Sequence, residues 1–272
     1  MQEKIDLYNL TFENSHGILP RSDFAPFIST KERFPYNSFR SGDYLKKYSF
    51  LKNDIVYNSE LFYGRKSDFE KFKGKKILVV AGGPTTNSHE WNPDEYDYIF
   101  SCNHFFLNDK LNKSKVELAI ITNEVDLSSK KFLDYIKKNN TSIVLEDYNN
   151  DIQNIIDLNS EIDNQITECI LRFQSKTGVG AKLIVLATLF GAKEVHFVGV
   201  DGPPKEGLDS QHSFEKGKLI NALGSANPYP YELMYNHYRC LIRYLFNDIG
   251  KEVIYKNLGK GHDLNIISKI LS

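Results

Sequence analysis

The sequence predicts an α/β protein with a mostly parallel sheet flanked by helices and an aromatic-rich N-terminal extension. Three observations predict it. Short apolar runs alternate with longer stretches of helical spacing between residues 76 and 255, the pattern of parallel strands joined by crossovers. The first run, Lys76-Ile77-Leu78-Val79-Val80-Ala81, is apolar after its first residue, as suits a strand covered on both faces. It leads into the turn Gly82-Gly83-Pro84-Thr85, at the strand end where sheets of this class bind ligands.

The remaining elements follow in order. Strands are expected at 96–101, 116–121, 141–146, 194–199 and 252–255. A helix over 128–138 has Ser128 or Ser129 as its cap. Residues 149–170 are polar and read as partly helical. The strongest helix signal spans 177–191, where Val179, Leu183, Leu186, Ala187 and Phe190 recur at helical spacing and Gly191 ends it. Glycines and prolines among polar groups mark 201–228 as a long functional loop, and 231–248 as the last helix before Gly250. Residues 1–72 form a loop-rich extension and 73–272 the α/β domain. Pro20, Pro26 and Pro35 interrupt the extension, yet its aromatics are too many for a disordered tail. The basic stretch 71–76 reads as a solvated lead-in to the first strand.

Composition excludes several classes. A net charge of -1 gives no general argument for nucleic acid as a partner. Cys102, Cys169 and Cys240 match no zinc or CxxC spacing and fit a reducing compartment. The N-terminus is polar, and no run approaches the roughly 18 apolar residues a spanning helix needs. The expectation is a cytoplasmic protein, with peripheral attachment to the inner face of the membrane left open. There is no DxD pair, HExxH or GxSxG elbow, so metal ligands and a serine nucleophile are not expected.

Four segments at strand ends or helix starts can carry chemistry. Gly82, Gly83, Pro84 and Thr85 can bring backbone N–H groups close to phosphate, although the turn is neither GxGxxG nor a Walker loop. Asn103 and the pair Thr122-Asn123 stand at strand ends, where polar side chains can meet a base, sugar or phosphate. A turn-forming role explains them equally well. Ser175, Thr177 and Gly178 open the strong helix, with Arg172 and Lys176 able to neutralise phosphate. Capping accounts for the hydroxyls but not for Gly178 and Gly180, which cost helix stability. Asp201 ends the strand at 194–199 and either fixes its loop or meets a ligand. Among the histidines, His212 in the long loop and His237 in the last helix are the acid–base candidates. His196 reads as a packed strand residue, and His16, His89, His104 and His262 as surface or loop residues.

Taken together, residues 75–258 resemble the bacterial sialyltransferases of lipooligosaccharide synthesis and the related motility-associated factor proteins. The resemblance rests on Ile77-Leu78-Val79-Val80-Ala81-Gly82-Gly83-Pro84-Thr85, which looks like that family's strand and G-x-G-P-S loop, with Thr in place of Ser. It rests also on Ser101-Cys102-Asn103-His104-Phe105, similar to R-C-N-x-F, and on Ser175-Lys176-Thr177-Gly178. The stretch Gly191-Ala192-Lys193-Glu194-Val195-His196-Phe197-Val198-Gly199-Val200-Asp201, similar to G-x-K-E-I-x-x-x-G-x-D, is its most specific part.

The resemblance implies a Rossmann-like, GT-A-like variant fold. It implies a glycosyltransferase that moves sialic acid or a related acidic sugar from a CMP-sugar to a surface glycan, as in lipopolysaccharide biosynthesis. Asn103 would contact the cytidine nucleotide, and a histidine would take the acceptor proton. His237 resembles the sialyltransferase base in spacing and in its His-Tyr pair and is the favoured candidate, while His212 matches the histidine of the motility-factor branch only loosely. The chemistry would need no metal and no cofactor beyond the donor, and the protein would be a homo-oligomer. Two alternatives stay open: a pterin diphosphokinase-like enzyme using ATP and Mg²⁺ near Asp201 and Asp209, and a non-catalytic nucleotide-binding module.

Overall fold

The first expected strand forms β3 (Lys76–Val80), and Ile77 through Val80 are fully buried. The computed structural model describes residues 54–57, 60–63, 69–122, 124–146, 162–171, 173, 178–202, 210–220, 231–260, 265, 267 and 270. Within them, β1 (Asp54–Tyr57), β2 (Glu60–Tyr63), β4 (Tyr98–Cys102), β5 (Val116–Ile120), β6 (Ser142–Glu146), β7 (Ile166–Ile170), β8 (Glu194–Val198) and β11 (Ile254–Asn257) join β3 in one sheet. The order is β1-β2-β7-β6-β5-β4-β3-β8-β11. Pairing is parallel from β7 through β11, while β2 runs antiparallel to β7 and to β1. The fold is therefore Rossmann-like α/β, with a mostly parallel sheet.

The order has a consequence for function. The chain leaves β3 for β4 on one side and returns to β8 on the other. The carboxyl end of β3 is thus a point where the strand order reverses, and crevices open at such points.

Two short helices follow the first strands: α1 (Thr85–Ser88) after β3 and α2 (Asp109–Lys113) after β4. Next, α3 (Lys130–Asn139) has the Ser129 side chain accepting from Phe132 N–H and Asn140 left-handed at its end. The strongest periodic segment gives α4 (Val179–Leu189), buried from Gly180 to Leu189. A helix apolar on all sides belongs in a core. It packs on β3, β4 and β8 and is covered by the π-helical turn at 244–249. That turn extends α5 (Tyr231–Arg243), and the Gly250 N–H closes it onto the Leu245 carbonyl at 2.8 Å. His196 is buried at 7% exposure and meets the Tyr96 hydroxyl through Nδ1 at 3.0 Å, as a packed strand residue does.

The structure differs from the sequence reading at three places. Residues 166–170, placed in a polar and partly helical stretch, are β7, held by parallel pairing to β6. Strands β1 and β2 extend the sheet from within the segment read as loop-rich. The basic lead-in is more than a solvated run: Phe72 is fully buried between Tyr98, Phe100 and Phe190. Lys71 pairs with Glu117. Burial alone would raise the Glu117 carboxyl, but Lys115 and Lys71 hold it below its usual range. No helix among the described residues is long and apolar enough to cross a membrane.

Candidate functional site

The glycine turn leaves β3 between two neighbours that fix its shape. On the β8 side, Gly83 N–H donates to the Gly199 carbonyl at 2.9 Å. A Cβ on Gly83 would lie 2.5 Å from that oxygen and 2.5 Å from Asp201 Oδ2. Only glycine fits where two backbones come this close. Gly83→Ala is expected to destabilise the fold by about 1–3 kcal/mol, as overpacking against immovable backbone does, measurable by urea denaturation.

Thr85 and Asp201 answer the question the sequence left open. The Asp201 carboxylate, 1% exposed, accepts from Thr85 N–H at 3.0 Å and from the Thr85 hydroxyl at 2.7 Å. It also accepts from Asn265 Nδ2 at 2.6 Å. Thr85 is fully buried. These two residues fasten the glycine turn to the end of β8 and to the C-terminal segment.

On the other side, toward β4 and β5, stand Asn103 and Thr122. Asn103 is left-handed, with φ 48°. Its Oδ1 accepts from Thr122 N–H at 3.0 Å and from the Thr122 hydroxyl at 3.2 Å. Asparagine tolerates this backbone region better than other non-glycine residues, and local strain of this kind gathers at functional sites. With Oδ1 bound to Thr122, the Asn103 amide nitrogen is the group it can present. Behind the turn, α4 begins at Gly178, whose φ of 89° favours glycine. The first turn of α4 touches the end of β3, because a Cβ on Gly180 would lie 2.6 Å from Ala81 Cβ. The start of an 11-residue helix therefore stands beside the glycine turn. Asn123, Ser175, Thr177, Arg172 and Lys176 lie outside the described residues.

Part of the expected long loop is a small hairpin, β9 (Ser210–Gln211) against β10 (Leu219–Ile220). It folds down onto the glycine turn. Ser213 N–H donates to the Gly82 carbonyl at 2.9 Å, and its hydroxyl to the Gly83 carbonyl at 2.6 Å. This seats the His212 ring over Gly82, so that a Cβ there would collide with Nε2 and lie 2.5 Å from Cε1. His237 instead occupies a buried position in α5, at 8% exposure.

Three residues around His212 were not foreseen as site members. Glu215 Oε2 stands 2.7 Å from Lys218 Nζ, 3.2 Å from His104 Nδ1 and 3.7 Å from His212 Nδ1. Burial alone would raise the Glu215 carboxyl, yet Lys218 and the two imidazoles hold it below its usual range. Burial lowers His212 beneath its ordinary 6.5, with Lys218 and His104 adding to the shift and Glu215 opposing it. His212 is accordingly neutral at pH 7. The one signal for His104 was its place after Asn103 at a strand end. Cys102 is buried beside the turn and pushed up to about 12, so it is an inert packing group. Among the described residues no three His, Cys, Asp or Glu side chains are grouped to hold a metal ion.

The ring-over-glycine contact has a direct check. Gly82→Ala is expected to keep the fold, because the far end of a side chain can move aside. It should release His212 toward solvent and return its titration midpoint, read by NMR, toward 6.5. An unchanged midpoint would contradict the contact.

No family model matches the chain, and no curated protein matches it. Solved structures with a similar fold are sialyltransferases. One is a variant of the sialyltransferase CST-II in complex with CMP, 15% identical, covering 68% of this chain and 81% of that one, with a TM-score of 0.47. Another is CstII from Campylobacter jejuni in complex with the substrate analogue CMP-3FNeuAc, 14% identical over 68% of this chain and 81% of that one, with a TM-score of 0.44. The monofunctional alpha-2,3-sialyltransferase Cst-I from Campylobacter jejuni is 14% identical over 67% of this chain and 75% of that one, again at 0.44. Identities and TM-scores this low leave the functional reading to the chain's own motifs and site geometry.

Proposed function

We propose that the protein is a glycosyltransferase that takes an acidic sugar, sialic acid or a relative, from a CMP-activated donor and passes it to a glycan hydroxyl. The observation that carries the reading is the seating of His212 directly on the glycine turn at Gly82, next to Ala81, which the first turn of α4 touches. The motif resemblance of residues 75–258 supplies the nucleotide class. In this reading, backbone N–H groups at the start of α4 receive the phosphate and the Asn103 amide contacts the nucleotide, while the Gly83 and Thr85 N–H groups of the turn are held by Gly199 and Asp201.

The reaction is one displacement. His212 Nε2 removes the acceptor hydroxyl proton, the oxygen forms a bond to the anomeric carbon, and the bond to CMP breaks with its electrons going to the phosphate. A single displacement inverts the centre. His212 is favoured over His237 as the base because of its position on the turn. Nε2 can act only when Nδ1 carries the ring proton, and two groups compete for Nδ1. The Phe214 N–H points at it from 3.3 Å, while the Glu215 carboxylate at 3.7 Å favours Nδ1–H and the imidazolium that follows proton uptake. At 3.7 Å the carboxylate is beyond hydrogen-bond distance and acts on the ring by charge alone, so the Phe214 contact must open for Nδ1 to carry the proton.

A pH profile follows. The base works as the neutral ring, so the rate should be level through neutrality and fall as pH drops through a midpoint below 6.5. Glu215→Gln removes the charge that favours imidazolium. It should lower both that midpoint and the maximal rate, the latter by about tenfold or more. A profile centred above 6.5, or an unchanged Glu215→Gln profile, would contradict this arrangement.

The diphosphokinase alternative would place Mg²⁺ near Asp201 and Asp209; the Asp201 carboxylate is already engaged by Thr85 and Asn265, and Asp209 lies outside the described residues. The test of the proposed function is release of CMP from CMP-N-acetylneuraminic acid, with and without a glycan acceptor. Release that rises with acceptor is expected, and none under either condition would overturn the reading.

A further inference from the structure

The sheet ends at β11, which is bonded to β8 on one side and to no other described strand. The Ile254 N–H donates to the Lys193 carbonyl at 3.0 Å, and the Leu258 N–H to the Phe197 carbonyl at 2.9 Å. Backbone groups of successive residues in a strand point to opposite sides, so the Val253 carbonyl and the Tyr255 N–H and carbonyl face away from β8. An edge of this kind is a template for pairing with another chain. This one is also apolar. Among the described residues three large hydrophobics are exposed, and two of them, Phe246 at 42% and Ile254 at 53%, lie here. Phe246 packs on the Tyr255 ring with centroids 5.0 Å apart.

The side chains indicate what the edge pairs with. Exposure alternates along the chain: Glu252, Ile254 and Lys256 are exposed, while Val253, Tyr255 and Asn257 are half-buried. Tyr255 turns toward α4, where its hydroxyl meets that of Thr188 at 2.9 Å. Glu252, Ile254 and Lys256 therefore share the opposite face. An acid, an apolar residue and a base at two-residue spacing complement the same series read backwards. When two β11 strands pair antiparallel about Ile254, the two Ile254 residues stand opposite each other, with Cα atoms about 4.5 Å apart. Glu252 of each copy then faces Lys256 of the other, and the Tyr255 N–H of each reaches the Val253 carbonyl of the other. Centring the pair on Lys256 would set two lysines against each other, and centring it on Tyr255 would leave both charge pairs unmade. The charges thus select one register, and a strand that complements itself favours a second copy over an unrelated partner.

We infer that β11 is a self-complementary edge through which two copies of this chain pair antiparallel about a two-fold axis, joining their sheets into one. The pairing does not depend on the proposed activity. The experiment is sedimentation equilibrium of the full chain over a range of concentrations, with melting curves to establish that each variant is folded. The wild type should associate reversibly. Ile254→Lys, at an exposed position, should give a folded species of half the mass. Lys256→Glu sets like charges opposite Glu252 in both pairs and should weaken association at least tenfold. Adding Glu252→Lys to it remakes both pairs with the charges exchanged, and should return the dissociation constant to within threefold of the wild type. A wild type that stays monomeric up to its solubility limit overturns the inference. So does an oligomer that either Ile254→Lys or Lys256→Glu leaves intact. Failure of the double variant to recover overturns it as well, because this register requires residues 252 and 256 to meet.

Discussion

Replacing His212 with alanine is expected to slow transfer from the CMP-sugar by about 10²–10⁴-fold, the range a positioned general base contributes. CMP affinity should change little, because the turn, Asn103 and the start of α4 remain in place. The comparison that gives the result meaning is His237→Ala. That residue is buried in α5, 8% exposed, and its truncation should act on stability. Loss of transfer in His237→Ala with a normal melting curve, alongside retained transfer in His212→Ala, would reverse the assignment of the base. Retained transfer in both variants would exclude both histidines as the base, whereas CMP binding by the wild type with no transfer would point to a non-catalytic binding module.

Asp201→Ala is expected to cost roughly 3 kcal/mol or more in stability. The substitution leaves the Thr85 N–H and hydroxyl and the Asn265 amide without their acceptor, and hydrogen bonds to a charged group contribute about 1.5–3 kcal/mol each. Asp201→Asn should not rescue it. Oδ1 and Oδ2 both accept hydrogen bonds, so an amide NH2 in either place meets another donor. Urea denaturation measures the effect. Native stability with lost CMP binding would show instead that Asp201 faces the ligand.

The sequence made the centre of this protein legible and left its closure hidden. β3 and α4 carry local signals, an unbroken apolar run and a clean helical period, and both formed where expected. Asn103 was marked by its place at a strand end, and its left-handed backbone and bonds to Thr122 give that mark a physical reason. By contrast, the strand at 166–170 is Ile-Thr-Glu-Cys-Ile, short and without a clean alternation, and its pairing with β6 and β2 makes it a strand. The pairing of Thr85 with Asp201 joins residues 116 apart, and the seat of Ser213 on Gly83 joins residues 130 apart. No window along the chain contains both partners. The same distance hid Glu215 and Lys218, ordinary charges in a loop until the hairpin sets them beside His212 and His104.

The most direct test of the central claim is calorimetric titration with CMP, UDP, GDP, and ATP with and without Mg²⁺. CMP is expected to bind tightest, without added metal, and Asn103→Ala to weaken it at least tenfold. Binding of ATP with Mg²⁺ and no response to CMP would contradict it.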